Sequence, residues 1–165
     1  MNYKFFKYCE TVEELYSQYK RLAMEHHPDR GGRVEDMQAI NAEYDVLKKI
    51  VGNKHKTADG KTYERERNTT PDRFKNIINA VIGFNIDLEI CGCWLWAFKA
   101  YKYREELKAL GFFYCSRKMA WAWTEEMPSK HKHKMTLDEI RETYGSEIIK
   151  TQTEEEQQKR IGRTA

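Results

Sequence analysis

His27-Pro28-Asp29 sets an imidazole and a carboxylate on either side of a proline, and Arg30-Gly31-Gly32 follows directly. An imidazole and a carboxylate this close can serve as an acid–base pair or as a recognition element. Catalysis would need a nucleophile in reach, and the flanking sequence offers none. The proline disfavours the α conformation at His27, which ends the preceding helix there. The two glycines suit a tight reversal. The tripeptide is expected on an exposed turn at the tip of a helical hairpin, where a rigid proline presents both groups for recognition.

Two helical patterns position that turn. Thr11-Val12-Glu13-Glu14 has the form of a capping box. From there to His26, the residues Val12, Leu15, Tyr16, Tyr19, Leu22, Ala23 and His26 recur on one stripe at helical spacing. A second helix is expected from Arg33 to Ile50, with the stripe Val34, Met37, Ile40, Tyr44, Leu47 and Val51, and Gly52 as its stop. Joined by a short turn, the two should pack antiparallel on these faces.

Three blocks in this order, Tyr19 to Met24, His27-Pro28-Asp29 and Ile40 to Leu47, resemble a J domain of the DnaJ family over roughly residues 3 to 51. The resemblance implies docking on a DnaK-type heat-shock chaperone and stimulation of its ATP hydrolysis, with no catalytic residue in this chain. It assigns chaperone binding to His27, Pro28 and Asp29, and to Lys20 and Arg21 on the basic face of the preceding helix. The chain departs from full-length DnaJ proteins in having no fourth J-domain helix after Leu47, no glycine/phenylalanine-rich linker and no CxxCxGxG modules. Lys4 to Cys9 also matches the first J-domain helix poorly. Such a short J domain resembles those of viral and phage proteins, and implies a specific target in place of general client binding.

The remainder predicts an α+β module. Residues 53–70 are polar and are expected to form a linker, either a loop or a short hairpin. Thr70-Pro71-Asp72 has the chemistry of a helix start, and Phe74, Ile77, Ile78, Val81 and Ile82 form the stripe that follows. Ile86, Leu88 and Ile90 alternate with acids as in a half-buried strand. This strand runs on toward Trp94-Leu95-Trp96, with Gly92 a candidate turn. A short helix from Tyr103 to Leu110, a hairpin of Phe112–Cys115 with Ala120–Trp123, and a helix opened by Thr136-Leu137-Asp138-Glu139 complete the pattern. The expected organisation is a J domain (1–52), a linker (53–70), an α+β module (71–145) and a polar tail (146–165).

Four tryptophans fall within this module as Trp94/Trp96 and Trp121/Trp123, each pair on one face of its strand. They are expected to form the core of a small sheet. The alternative is partial exposure beside Lys99, Lys102, Arg117 and Lys118, an arrangement suited to stacking single-stranded bases or to contacting a client. The blocks W-x-W, K-x-x-L-K-x-x-G and K-x-x-W-x-W, here Trp94-Leu95-Trp96, the run ending at Gly111, and Lys118 to Trp123, are similar to a module of phage and mobile-element proteins that often accompanies short J domains. Ala97-Phe98-Lys99-Ala100 stands where many versions have a Gly-Asn-Thr turn.

Charge and cysteine usage set the remaining bounds. The net charge of +3 is too small to argue for nucleic acid alone, although Lys99 to Lys134 carries nine basic residues against four acids. Cys9, Cys91, Cys93 and Cys115 have no disulfide-framework spacing, and free thiols are expected. Cys91, Cys93 and Cys115, with His131 or His133, lack paired CxxC knuckles, so neither metal nor cofactor is expected. Lys130 to Lys134 reads as a solvated basic loop. With no apolar run near membrane-spanning length and no signal peptide, the expected location is the cytoplasm.

Overall fold

Thr11 stops an extended N-terminal segment and starts the first helix. Its backbone is extended and its hydroxyl accepts the Glu14 N–H at 3.5 Å, opening α1 (Val12–His26). In this computed structural model the described residues are 3–64, 73–125 and 135–149. The expected helix start at Thr70-Pro71-Asp72, the basic loop with His131 and His133, and the chain beyond 149 lie outside them. Glu14 reaches back to the Glu10 N–H at 3.0 Å, one residue before the position a capping box uses. After the His27-Pro28-Asp29 turn, α2 (Val34–Val51) packs back along α1. The expected stripes meet: Leu15, Tyr19, Leu22 and Ala23 are buried on one helix, and Met37, Ile40, Tyr44 and Leu47 on the other.

Among the described residues, no helix precedes α1. Residues 3–10 run along the hairpin, and the carboxylate of Glu43 fastens them by accepting the backbone N–H groups of Lys4, Phe5 and Phe6 at 2.8–3.1 Å. Three backbone donors outside any helix or strand are thereby met by one side chain.

Beyond Gly52, β1 (Lys54–Lys56) and β2 (Thr62–Glu64) pair as a hairpin. This is the hairpin form of the expected linker. Helix α3 (Phe74–Val81) then leads into a five-stranded antiparallel sheet. Its strands are β3 (Asp87–Cys91), β4 (Trp94–Phe98), β5 (Phe113–Cys115), β6 (Ala120–Thr124) and β7 (Glu147–Ile149), in the spatial order β5-β6-β4-β3-β7. Helix α4 (Arg104–Ala109) connects β4 to β5, and α5 (Leu137–Tyr144), opened by a complete Thr136–Glu139 capping box, precedes β7. The fold is α+β.

Two expectations change here. β7 occupies residues assigned to the polar tail; three residues are too few to show alternation, and pairing with Leu88, Glu89 and Ile90 of β3 creates the strand. The core also does not divide at residues 53–70. Leu88, Ile90, Leu95, Ala97, Trp121 and Trp123 line one face of the sheet and form a single buried cluster with α1, α2 and α3. Tyr16 of α1 stacks on Phe74 of α3 with ring centroids 3.7 Å apart, and Phe74 in turn lies 6.4 Å from Trp123. The opposite face, with Cys91, Trp96, Ala120 and Ala122, is covered by Ile140 of α5. There the buried carboxylate of Glu89 receives two bonds from Arg141, at 2.7 and 2.8 Å.

Candidate functional site

The tip of the α1/α2 hairpin is a single turn of 3-10 helix, Pro28–Arg30. Pro28 fixes the first position, and Gly31 closes the turn at φ +83°, in the left-handed region. Arg30 and Gly32 both donate to the His27 carbonyl, at 2.9 and 3.0 Å, and Gly31 donates to Pro28 at 2.9 Å. Gly32 has no room for a side chain, since a Cβ there would run into the His26 carbonyl.

The three signature side chains divide their work. His27 turns inward, only 14% exposed, and its Nδ1 accepts the Asp29 backbone N–H at 3.2 Å. That bond places the proton of the neutral ring on Nε2. The Asp29 carboxylate points out at 64% exposure, 3.7 Å from the same Nδ1, and Pro28 is exposed beside it. A rigid ring and an acceptor-only carboxylate therefore face solvent on a turn braced from behind by the histidine. His26 fills a gap in the hairpin, its ring edge-on to Phe5 at 5.2 Å. The α+β portion reaches the turn as well: a Cβ at Gly83, after α3, would stand 3.4 Å from Asp29 Oδ2.

Only half of the expected basic face faces solvent. Arg21 is exposed, but Lys20 is fully buried and donates to the Leu88 carbonyl of β3 at 2.9 Å, with the Glu147 carbonyl of β7 at 3.5 Å. Burial pushes the Lys20 ammonium down from 10.5 to about 8, against the opposing pull of Glu147 and Glu89. Lys20 thus belongs to the internal framework, because α1 packs its second flank against the sheet. Arg33, at the start of α2, adds an exposed positive charge near the tip.

The tryptophans form no common surface. Register places Leu95 opposite Trp123 and Trp96 opposite Ala122, which sends Trp121 and Trp123 to the helix-covered face and Trp94 and Trp96 to the other. Trp96, Trp121 and Trp123 are buried; Trp94 is half-buried and stacks on Trp96 at 5.6 Å. Lys118 covers the Trp96 ring, its ammonium 5.6 Å from the centroid. Lys99 pairs with Asp87 at 2.9 Å, whereas Lys102 and Arg117 are exposed. Three of these rings belong to the sheet's core, and Trp94 packs against it half-buried.

The cysteines separate too. Cys91 is buried and Cys115 half-buried, both as free thiols. Cys93 leaves them to join Glu13 and His55, a grouping of mixed S, N and O donors that sequence spacing could not bring together. Among the described residues no helix is long and apolar enough to cross a membrane. Compared with protein-family models, curated proteins and solved structures, the chain matches none.

Proposed function

We propose that this protein is a cytoplasmic J-domain co-chaperone that stimulates the ATPase of a DnaK-type chaperone and directs it to a specific target through its α+β portion. The observation that carries this reading is the His27-Pro28-Asp29 turn, with Pro28 and Asp29 presented outward while the His27 ring braces the backbone beneath them. A fixed carboxylate at the end of a stiff helical hairpin suits engagement of a cationic group on a partner, since little ordering entropy remains to be lost on binding. Arg21 supplies the exposed positive charge on α1 that the family resemblance requires. Three of the four tryptophans are buried, which leaves only the half-buried Trp94 for stacking a base and favours the co-chaperone reading over the nucleic-acid one.

Single-turnover ATP hydrolysis by a DnaK-type chaperone tests the proposal. The full chain should accelerate it, and His27→Gln and Asp29→Asn should each abolish the acceleration while leaving the thermal unfolding curve in place. Equal stimulation by the wild type and both variants would overturn the reading.

A further inference from the structure

Three side chains from distant segments converge behind the hairpin, away from the His27-Pro28-Asp29 tip. Glu13 lies in the first turn of α1, His55 in β1 and Cys93 beside Gly92 in the turn between β3 and β4. Glu13 Oε1 is 2.7 Å from His55 Nδ1, Cys93 Sγ is 3.3 Å from the same nitrogen, and Cys93 Sγ is 3.5 Å from Glu13 Oε1. Both neighbours meet one ring nitrogen. A Cys–His–Glu relay for nucleophilic catalysis would need the thiol and the carboxylate on opposite ring nitrogens. Three donors aimed at a common point have a different chemistry. We propose that Glu13, His55 and Cys93 form a binding site for a divalent transition-metal ion of the zinc type, which clamps α1, the β1–β2 hairpin and the β3–β4 turn together.

The donor set and its spacing agree. One thiolate, one imidazole and one carboxylate are the ligands a borderline ion such as Zn2+ takes, whereas Mg2+ and Ca2+ prefer oxygen alone. Tetrahedral bonds of about 2.0 to 2.3 Å separate neighbouring ligand atoms by roughly 3.3 to 3.6 Å. The two sulfur distances lie in or near that range, and only the Glu13–His55 pair must open slightly as a metal replaces the hydrogen bond between them.

The surroundings are already arranged for it. Lys56 N–H holds the other Glu13 oxygen at 2.9 Å, which leaves Oε1 to face the site, and Tyr63 stacks on the His55 ring at 5.4 Å. Gly92 takes φ +59°, and a Cβ there would stand 3.1 Å from Tyr144, so the turn that presents Cys93 is closely fitted. Binding releases the Cys93 thiol proton, and the His55 ring changes tautomer, giving up to solvent the Nδ1 proton that bonds Glu13 and taking one at Nε2, so that the Nδ1 lone pair faces the ion. Three protein ligands leave a fourth position for water.

Cobalt(II) added to the chelator-treated full chain is the probe. One equivalent should give the visible bands of a four-coordinate ion and a sulfur-to-cobalt charge-transfer band, both erased by Zn2+. Cys93→Ser should lose the charge-transfer band, and Cys115→Ser should keep it. Because Cys93→Ser can also disturb the turn, alkylation of the unaltered protein gives a second readout. Zn2+ at a hundred times its Kd should slow modification of Cys93 roughly a hundredfold, and leave Cys115 unchanged. No charge-transfer band, a band that survives in Cys93→Ser, or equal alkylation of Cys93 with and without Zn2+ would each overturn the site. None of these readouts involves the chaperone ATPase, so they stand or fall apart from the co-chaperone proposal.

Discussion

The ammonium of Lys20 donates to the carbonyl of Leu88 at 2.9 Å, a bond across 68 residues that ties the α1/α2 hairpin to the central sheet. In sequence Lys20 and Arg21 are an interchangeable basic pair. In the fold one is an internal strut and the other faces solvent.

Lys20 makes stability depend on alkaline pH. Its folded pKa is depressed to about 8 from 10.5, so between these values the unfolded chain holds the proton more tightly. Stability therefore rises with pH across this window and is lost again as pH falls through about 8. Lys20→Met removes the group, and its stability relative to the wild type should fall by up to about 3 kcal/mol between pH 8 and pH 10.5. Urea unfolding at both pH values measures this; an unchanged difference would show that Lys20 titrates as a surface lysine.

Arg21 should behave in the opposite way. Arg21→Ala is expected to change unfolding free energy by less than about 0.5 kcal/mol. It should weaken stimulation of the DnaK-type ATPase, and added salt should mimic the effect on the wild type. Full stimulation by Arg21→Ala would remove α1 from the proposed docking surface.

The two turn glycines should differ in sensitivity. Gly31 at φ +83° has open space around it, so Gly31→Ala should cost about 1 to 2 kcal/mol from backbone strain alone. Gly32→Ala would drive a methyl into the His26 carbonyl and should cost clearly more. Denaturant midpoints, with amide exchange at position 32, separate the two. Equal midpoints would mean that the turn relaxes easily.

Arg141 holds the buried Glu89 carboxylate with two bonds. Burial pushes the Glu89 pKa up, but these bonds outweigh it and hold the group below its ordinary range. The stabilisation they give is present above pH 4.5 and disappears as pH falls through the lowered folded value. Arg141→Ala strands the charge and should cost about 3 kcal/mol at neutral pH. Arg141→Lys should recover only part of that, because an ammonium cannot make the paired contact. Complete rescue by lysine in urea unfolding would show that charge alone matters.

Local chemistry was readable and long-range placement was not. The hairpin stripe, the Pro28 and Gly31 turn, the Gly92 break between β3 and β4 and the Thr136 capping box all follow from neighbours within a few residues. The tryptophan spacing showed that each pair shares a face. That the pairs face opposite ways depends on the β4/β6 register, which no local pattern encodes. Lys20 reads like any solvated lysine until β3 and β7 are placed behind it. Glu13, His55 and Cys93 are separated by 42 and 38 residues, so only the fold could group them. Glu43, which fastens the N-terminal segment, is one polar residue among several on α2 until residues 4 to 6 are placed beside it.

The β3–β7 pairing also bears on how the protein is made. A ribosome delivers the His27-Pro28-Asp29 tip early, but the carbonyls that receive Lys20 belong to residues 88 and 147. Until β3 emerges the back of the nascent hairpin has an amine with no seat and an apolar flank with no cover, and β7 completes the seat only later. The hairpin is therefore no portable cassette: transplanted alone into another protein, it would need a new docking bed for α1. The same dependence delays the final packing of the hairpin until nearly all of the described chain has been synthesised.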